Sequence, residues 1–164
     1  MAITAISALW FLPFVLPICL YVAFTDMAQM RITNQAVILL ALIFVVIGLI
    51  ALPFDTYVWR LVHLVIVLLV GVALNAAGAM GAGDAKFIAV AAPFVALGDL
   101  RLILALLMAC VLAAAATHRG VKYTPLRRLA PDWESWDKGK KFPMGLALGT
   151  TLGIYLILGV FYGS

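Results

Sequence analysis

The chain has 164 residues, of which 66% are hydrophobic and 11% charged, with a formal net charge of +4 and a mean hydropathy of +1.19. That much apolar surface excludes an ordinary soluble domain and indicates an all-α, polytopic membrane protein. Most of the positive charge comes from one loop, so it does not point to a nucleic-acid partner.

Six apolar segments follow one another at 3–24, 36–53, 57–77, 86–97, 100–117 and 142–162, each bounded by charge, Gly or Pro. They predict six transmembrane helices in a single integral membrane domain, 1–164. The first lacks a basic leading region and is too long for a cleaved apolar stretch, so it reads as a permanent span kinked at Pro13 and Pro17. In the third, His63 reads as a packed residue without metal partners at ligand spacing, and Asn75 as an interhelical hydrogen-bond former with a possible supporting role beside a catalytic acid. The fourth has twelve residues and contains Pro93. As a helix, the stretch from Asp84 to the Gly98-Asp99 turn reaches only ~21 Å against a hydrocarbon core of ~30 Å, which predicts that Asp84 lies below the membrane surface.

Lys and Arg are distributed unevenly between alternate loops. Nine of eleven fall after segments one, three and five: Arg31, Lys86, Arg119, Lys122, Arg127, Arg128, Lys138, Lys140 and Lys141; only Arg60 and Arg101 fall in the other set. The bias predicts both termini outside and these loops in the cytoplasm. The largest, 118–141, carries seven basic residues against three acids, with Trp133 and Trp136 among them. It reads as a topology determinant on anionic headgroups with its Trp residues at the interface, the alternative being a substrate-contacting flap.

Only two of the seven acids, Asp26 and Asp84, end apolar segments on the inner side. Each has a plain explanation. Asp84 can cap the helix that follows it, and Asp26 can pair with Arg31. A carboxylate at membrane depth is costly, however, and marks a functional site by default. Two carboxylates held close cannot both ionise cheaply, so one keeps a proton while the other acts as base, the arrangement of an aspartic protease. Gly81 and Gly83 strip side chains from around Asp84, which gives a peptide backbone access to it.

Gly81-Ala82-Gly83-Asp84-Ala85-Lys86 resembles the GxGD motif of the type IV prepilin peptidases, and the stretch from Asp26 through Arg31 to Asn34 resembles the segment carrying their first catalytic aspartate. Phe142-Pro143-Met144-Gly145 resembles the stretch that opens their last helix. The size is that of the small CpaA/TadV-like members. Thr33 stands where Pro is common, and Met144 where an aromatic is usual.

The resemblance implies a membrane-embedded aspartyl endopeptidase of the bacterial cytoplasmic membrane. Such an enzyme removes basic leaders from prepilins and pseudopilins at the cytoplasmic face and serves pilus or tight-adherence assembly. Asp26 and Asp84 would be the dyad, with Gly81, Gly83, Lys86, Pro143 and Gly145 as motif positions and Asn34 and Asn75 as support. No cofactor is expected. Larger relatives carry a four-cysteine zinc site, whereas Cys19 and Cys110 here lie ninety-one residues apart in apolar spans, so neither zinc nor a disulfide is expected. Two other readings remain: an ion-coupled transporter in which Asp26 and Asp84 relay protons, and a non-catalytic assembly scaffold.

Overall fold

The structure, a computed structural model, describes residues 1–136 and 142–164. Asp137, Lys138, Lys140 and Lys141 of the basic loop lie outside the described residues. Six α-helices follow in order, α1 Ala5–Gln29, α2 Asn34–Ala51, α3 Phe54–Ala76, α4 Ala82–Ala91, α5 Leu100–Lys122 and α6 Met144–Tyr162, and no strand occurs among the described residues. All but α4 are long and apolar enough to cross a membrane. The molecule is a multi-pass, all-α membrane protein.

The bundle is organised around α1 and α6, its most extensive pairing. Gly149 and Gly153, four residues apart on α6, lie against α1: an added Cβ on Gly149 would stand 2.6 Å from the Cys19 carbonyl oxygen, and one on Gly153 3.3 Å from Leu16. Small residues at helical spacing let two backbones close to van der Waals contact where lipid offers no hydrophobic drive to associate. Free, buried Cys19 belongs to this seam, whereas free, buried Cys110 packs with Ala114 and Ala147 between α5 and α6. Further along, the rings of Phe11, Phe44, Phe94 and Tyr57 stack into the core that joins α1 and α2 to the end of the fourth segment. α1 continues unbroken past Pro13 and Pro17.

The fourth segment differs most from expectation. It is not one helix. Gly81 serves as N-cap, so α4 begins four residues before the segment marked by hydropathy, and it ends at Ala91 because Pro93 has no N–H to continue the ladder. A 3-10 turn over Ala92–Phe94, two extended residues (Val95 φ −94°, ψ 127°; Ala96 φ −71°, ψ 137°) and a second 3-10 turn over Leu97–Asp99 complete it. Extended and 3-10 residues advance further than α-helical ones, so the stretch from Asp84 to Asp99 can reach up to ~30 Å along its path rather than the ~21 Å of one helix. It crosses the bundle. Its far end meets the start of the chain, where the amides of Ala2 and Ile3 donate to the Asp99 carboxylate at 2.8 and 3.0 Å. The residue count of this segment alone therefore does not set the depth of Asp84.

The irregular backbone needs partners, because lipid supplies none. Buried Arg60 donates from Nη1 to the Pro93 carbonyl at 2.8 Å, and the Ala96 amide donates to the Tyr155 hydroxyl at 3.1 Å. That hydroxyl in turn donates to Asp99 at 2.9 Å. α5 also departs from its expected end, running on through His118 to Lys122, because hydropathy marks where lipid ends rather than where helix ends.

Candidate active site

At the end of the bundle opposite Asp99, three chain segments surround a cleft of about 530 Å3 lined by Asp26, Asp84, Gly81, Gly83, Arg31 and Met144, among others. Asp26 arrives on the last turn of α1, which Met30 closes in the left-handed region at φ 53°, its amide donating to the Asp26 carbonyl. Thr33 then caps α2, its hydroxyl accepting from the Ala36 amide at 3.3 Å. That accounts for a residue without a proline's constraint at this turn: the hydroxyl satisfies one of the unpaired amides at a helix start.

Asp26 is buried, and its Oδ2 accepts from the Gly145 amide at 2.5 Å. Gly145 is the second residue of α6, behind the buried N-cap Pro143. Its amide is one of the donors that a helix start leaves unpaired, and the partial positive charge there suits a carboxylate. Only glycine fits, because a Cβ at position 145 would stand 2.8 Å from the Asp26 Cβ and 3.0 Å from its Oδ2. No ion pair joins Asp26 to exposed Arg31 among the described residues, so the plain pairing expected between them is not what holds this acid.

Asp84 sits in the first turn of α4 without capping it: the N-cap is Gly81, and no side-chain cap bond forms. The Asp84 carboxylate leans toward Gly81 instead, where an added Cβ would stand 2.8 Å from Oδ2. A Cβ at Gly83 would make ordinary contacts with Ile32 at 3.5 Å or more. Of the two motif glycines, Gly81 is therefore the one that leaves room beside the acid. Asp84 is half-buried, has no hydrogen-bond partner among the described residues, and interacts electrostatically with Asp26 across the cleft.

Lys86 Nζ donates to Asn34 Oδ1 at 3.2 Å, tying the start of α2 to the start of α4 and so linking the two acid-bearing segments. Asn75 is exposed and donates to the Met80 carbonyl at 2.8 Å, closing the turn into Gly81 rather than contacting either acid. Met30, Ile32 and Phe142 also line the cleft. All three lie inside the stretches that resemble the family's motifs, but the sequence reading does not single them out as site residues because none carries an acid, base or metal-binding group.

The basic loop corrects the expectation for its tryptophans. Trp136 is not an interfacial residue: it is 1% exposed and donates from Nε1 to the Ala130 carbonyl at 2.7 Å. It stacks on His118 at 4.8 Å and on Trp133 at 5.8 Å, while Trp133 meets Phe24 edge-on and His118 meets Phe142. This aromatic ladder runs from two residues before Asp26 to three before Gly145, and packs the loop against both elements that hold the first acid.

The arrangement gathers two carboxylates, one anchored and one without a hydrogen-bond partner, beside a cleft with room for a peptide backbone. No curated protein and no solved structure matches the chain. The model of the type IV leader peptidase family does, over residues 13–118, a stretch that holds Asp26 and Asp84 and stops short of Gly145. With that match over more than half its length, the chain belongs to the type IV leader peptidase family.

Proposed function

We propose that the protein is an aspartyl endopeptidase that removes leader peptides from type IV or Flp-type prepilins and pseudopilins, with Asp26 and Asp84 as its dyad. The observation that carries this reading is that α1 and α4, far apart in sequence, bring their acids to one cleft. In the reaction, the unprotonated carboxylate takes a proton from water as its oxygen attacks the scissile carbonyl carbon, while the protonated one gives its proton to the carbonyl oxygen. Collapse of the resulting diol breaks the C–N bond, and the amine leaves with a proton from the dyad. The Gly145 amide fixes Asp26 through Oδ2 and leaves Oδ1 for water. The apolar helix of the substrate must unwind locally at the junction, because its amides are otherwise closed in their own hydrogen bonds.

The charge bias supports a reading in which the cleft opens on the cytoplasmic side of a bacterial inner membrane and both termini lie outside. Cysteines introduced at Ala130 and Ser164 then label from opposite faces in intact cells, and labelling of both by an impermeant reagent overturns that orientation.

The catalytic test uses purified, reconstituted protein and a Flp-like prepilin. Asp26→Asn and Asp84→Asn each reduce cleavage by at least ~10³-fold, and the double variant is no worse than either single one, since groups acting as a unit lose their effect together. Cleavage surviving either substitution refutes the dyad. Proton flux lost instead would identify a transporter.

A further inference from the structure

Below the cleft lies a second hollow of about 540 Å3, almost wholly apolar, between α3 and α5. Its floor continues the face of α4 that carries the catalytic acid. Asp84 is followed at helical spacing by Phe87, Ile88 and Ala91 of α4, and then by Ala92 of the 3-10 turn and the extended Val95, all lining the hollow. α6 does the same, since Met144 of the cleft is followed by Leu148, Thr151 and Leu152 of the hollow at intervals of four, seven and eight residues. Two helices thus present stripes that begin in the cleft and run on without a charge toward the far end of the bundle.

The walls stand apart because of how the helices pair. α3 packs chiefly on α4, and α5 on α6, which leaves a trough above the short fourth segment. Leu100 and Leu104 of α5 form one wall, Leu104 being about half exposed, and Ile66 of α3 forms the other. Alanines at 91 and 92 keep the floor low, so a helix backbone can approach it closely.

We infer that this trough holds the transmembrane helix of the substrate, seated so that the residue following the scissile bond lies beside Asp84 and the helix descends over Ala91 and Ala92 toward Leu97. The inference rests on the peptidase reading. Continuity with the cleft selects this occupant: a helix entering here delivers its end to the dyad, whereas the exposed face of α2 leads past Ile38 to Asn34, which bonds Lys86 and, among the described residues, neither acid. From Asp84 to Val95 the floor is α-helical to Ala91 and then 3-10 and extended, ~20 Å in all, which matches ~13 residues of substrate helix that must carry no charge on the seated face.

The test uses a synthetic precursor with a basic leader, a glycine junction and an apolar helix of ~20 residues, alongside a leader-junction peptide lacking that helix. Leu104→Trp and Ala92→Trp narrow the trough. Each should lower kcat/KM for the precursor relative to the peptide by about tenfold, mostly through KM, while Leu42→Trp on the far face of α2 changes neither. In the Asp84→Asn background, a photoreactive residue at position 104 should capture the precursor's apolar helix, and one at position 42 should not. Unchanged KM in both trough variants, or capture of lipid alone at position 104 while the unsubstituted protein cleaves the precursor, overturns the trough and leaves the peptidase standing. Failure of the unsubstituted protein to cleave either substrate defeats the peptidase reading and the trough with it.

Discussion

The two ends of the bundle each hold acids, and they treat them in opposite ways. Asp99, at the end near the chain termini, is 6% exposed and accepts from three donors: the amides of Ala2 and Ile3 and the hydroxyl of Tyr155. Asp84, at the other end, faces a cleft with no hydrogen-bond partner among the described residues and with a second carboxylate near it. Asp26 stands between these cases, held on one oxygen by Gly145. A carboxylate whose acceptor sites are filled by the fold stabilises the fold, and one left unfilled has its lone pairs available for water and substrate. Burial alone does not separate the two kinds; the count of donors does.

The contrast can be broken by exchanging roles. Asp84→Asn removes at least ~10³-fold of peptidase activity yet leaves the detergent melting temperature unchanged or higher, since it neutralises a charge that the fold does not satisfy. A clear fall in melting temperature would make Asp84 a structural acid like Asp99. Asp99→Ala has the opposite signature: loss of three charge-assisted bonds destabilises by about 3 kcal/mol, read by thermal unfolding, while the folded fraction keeps its turnover. Equal losses of turnover and stability would erase the distinction between the ends.

Intermediate effects belong to the residues that hold Asp26. Gly145→Ala forces a methyl group into the Asp26 side chain, and a shift of about 1 Å in that acid costs roughly 10²-fold in kcat with the protein still inserted. Wild-type turnover in this variant would mean that the Gly145 contact does not set the geometry. The smallest effect is that of Thr33→Ala, which removes the α2 cap and costs about 1 kcal/mol of stability. Because Asn34 begins the same turn and receives Lys86, circular dichroism and turnover measured together show whether loosening this turn disturbs the link to α4.

The long helical spans, the all-α class and the two acids that meet at one end of the bundle were legible in the sequence because each rests on composition or on the cost of charge in lipid. The course of the fourth segment was not. Hydropathy registers Val95 and Ala96 as membrane residues whether they are coiled or extended, and nothing local announces that Arg60 and Tyr155 arrive to satisfy the backbone there. The motif glycines likewise read as equivalent until the direction of the Asp84 side chain separates Gly81 from Gly83. The tryptophan loop misled for a different reason: Trp among basic residues beside a membrane carries the same pattern whether it floats on headgroups or, like Trp136, turns inward onto a histidine.

That inward turn gives the molecule a built-in optical probe. Of its four tryptophans, Trp10 and Trp59 are 45% and 66% exposed on the outer faces of α1 and α3, while Trp133 and Trp136 stack in near-parallel rings 5.8 Å apart beside the segments that bear Asp26 and Gly145. Stacked indoles couple their electronic transitions, and the protonation state of His118 lying flat on one of them modulates its emission. The near-ultraviolet dichroism and fluorescence of the unlabelled protein therefore report whether the loop stays docked, and a leader peptide that lifts it would announce its arrival as a loss of coupling before any bond is cut.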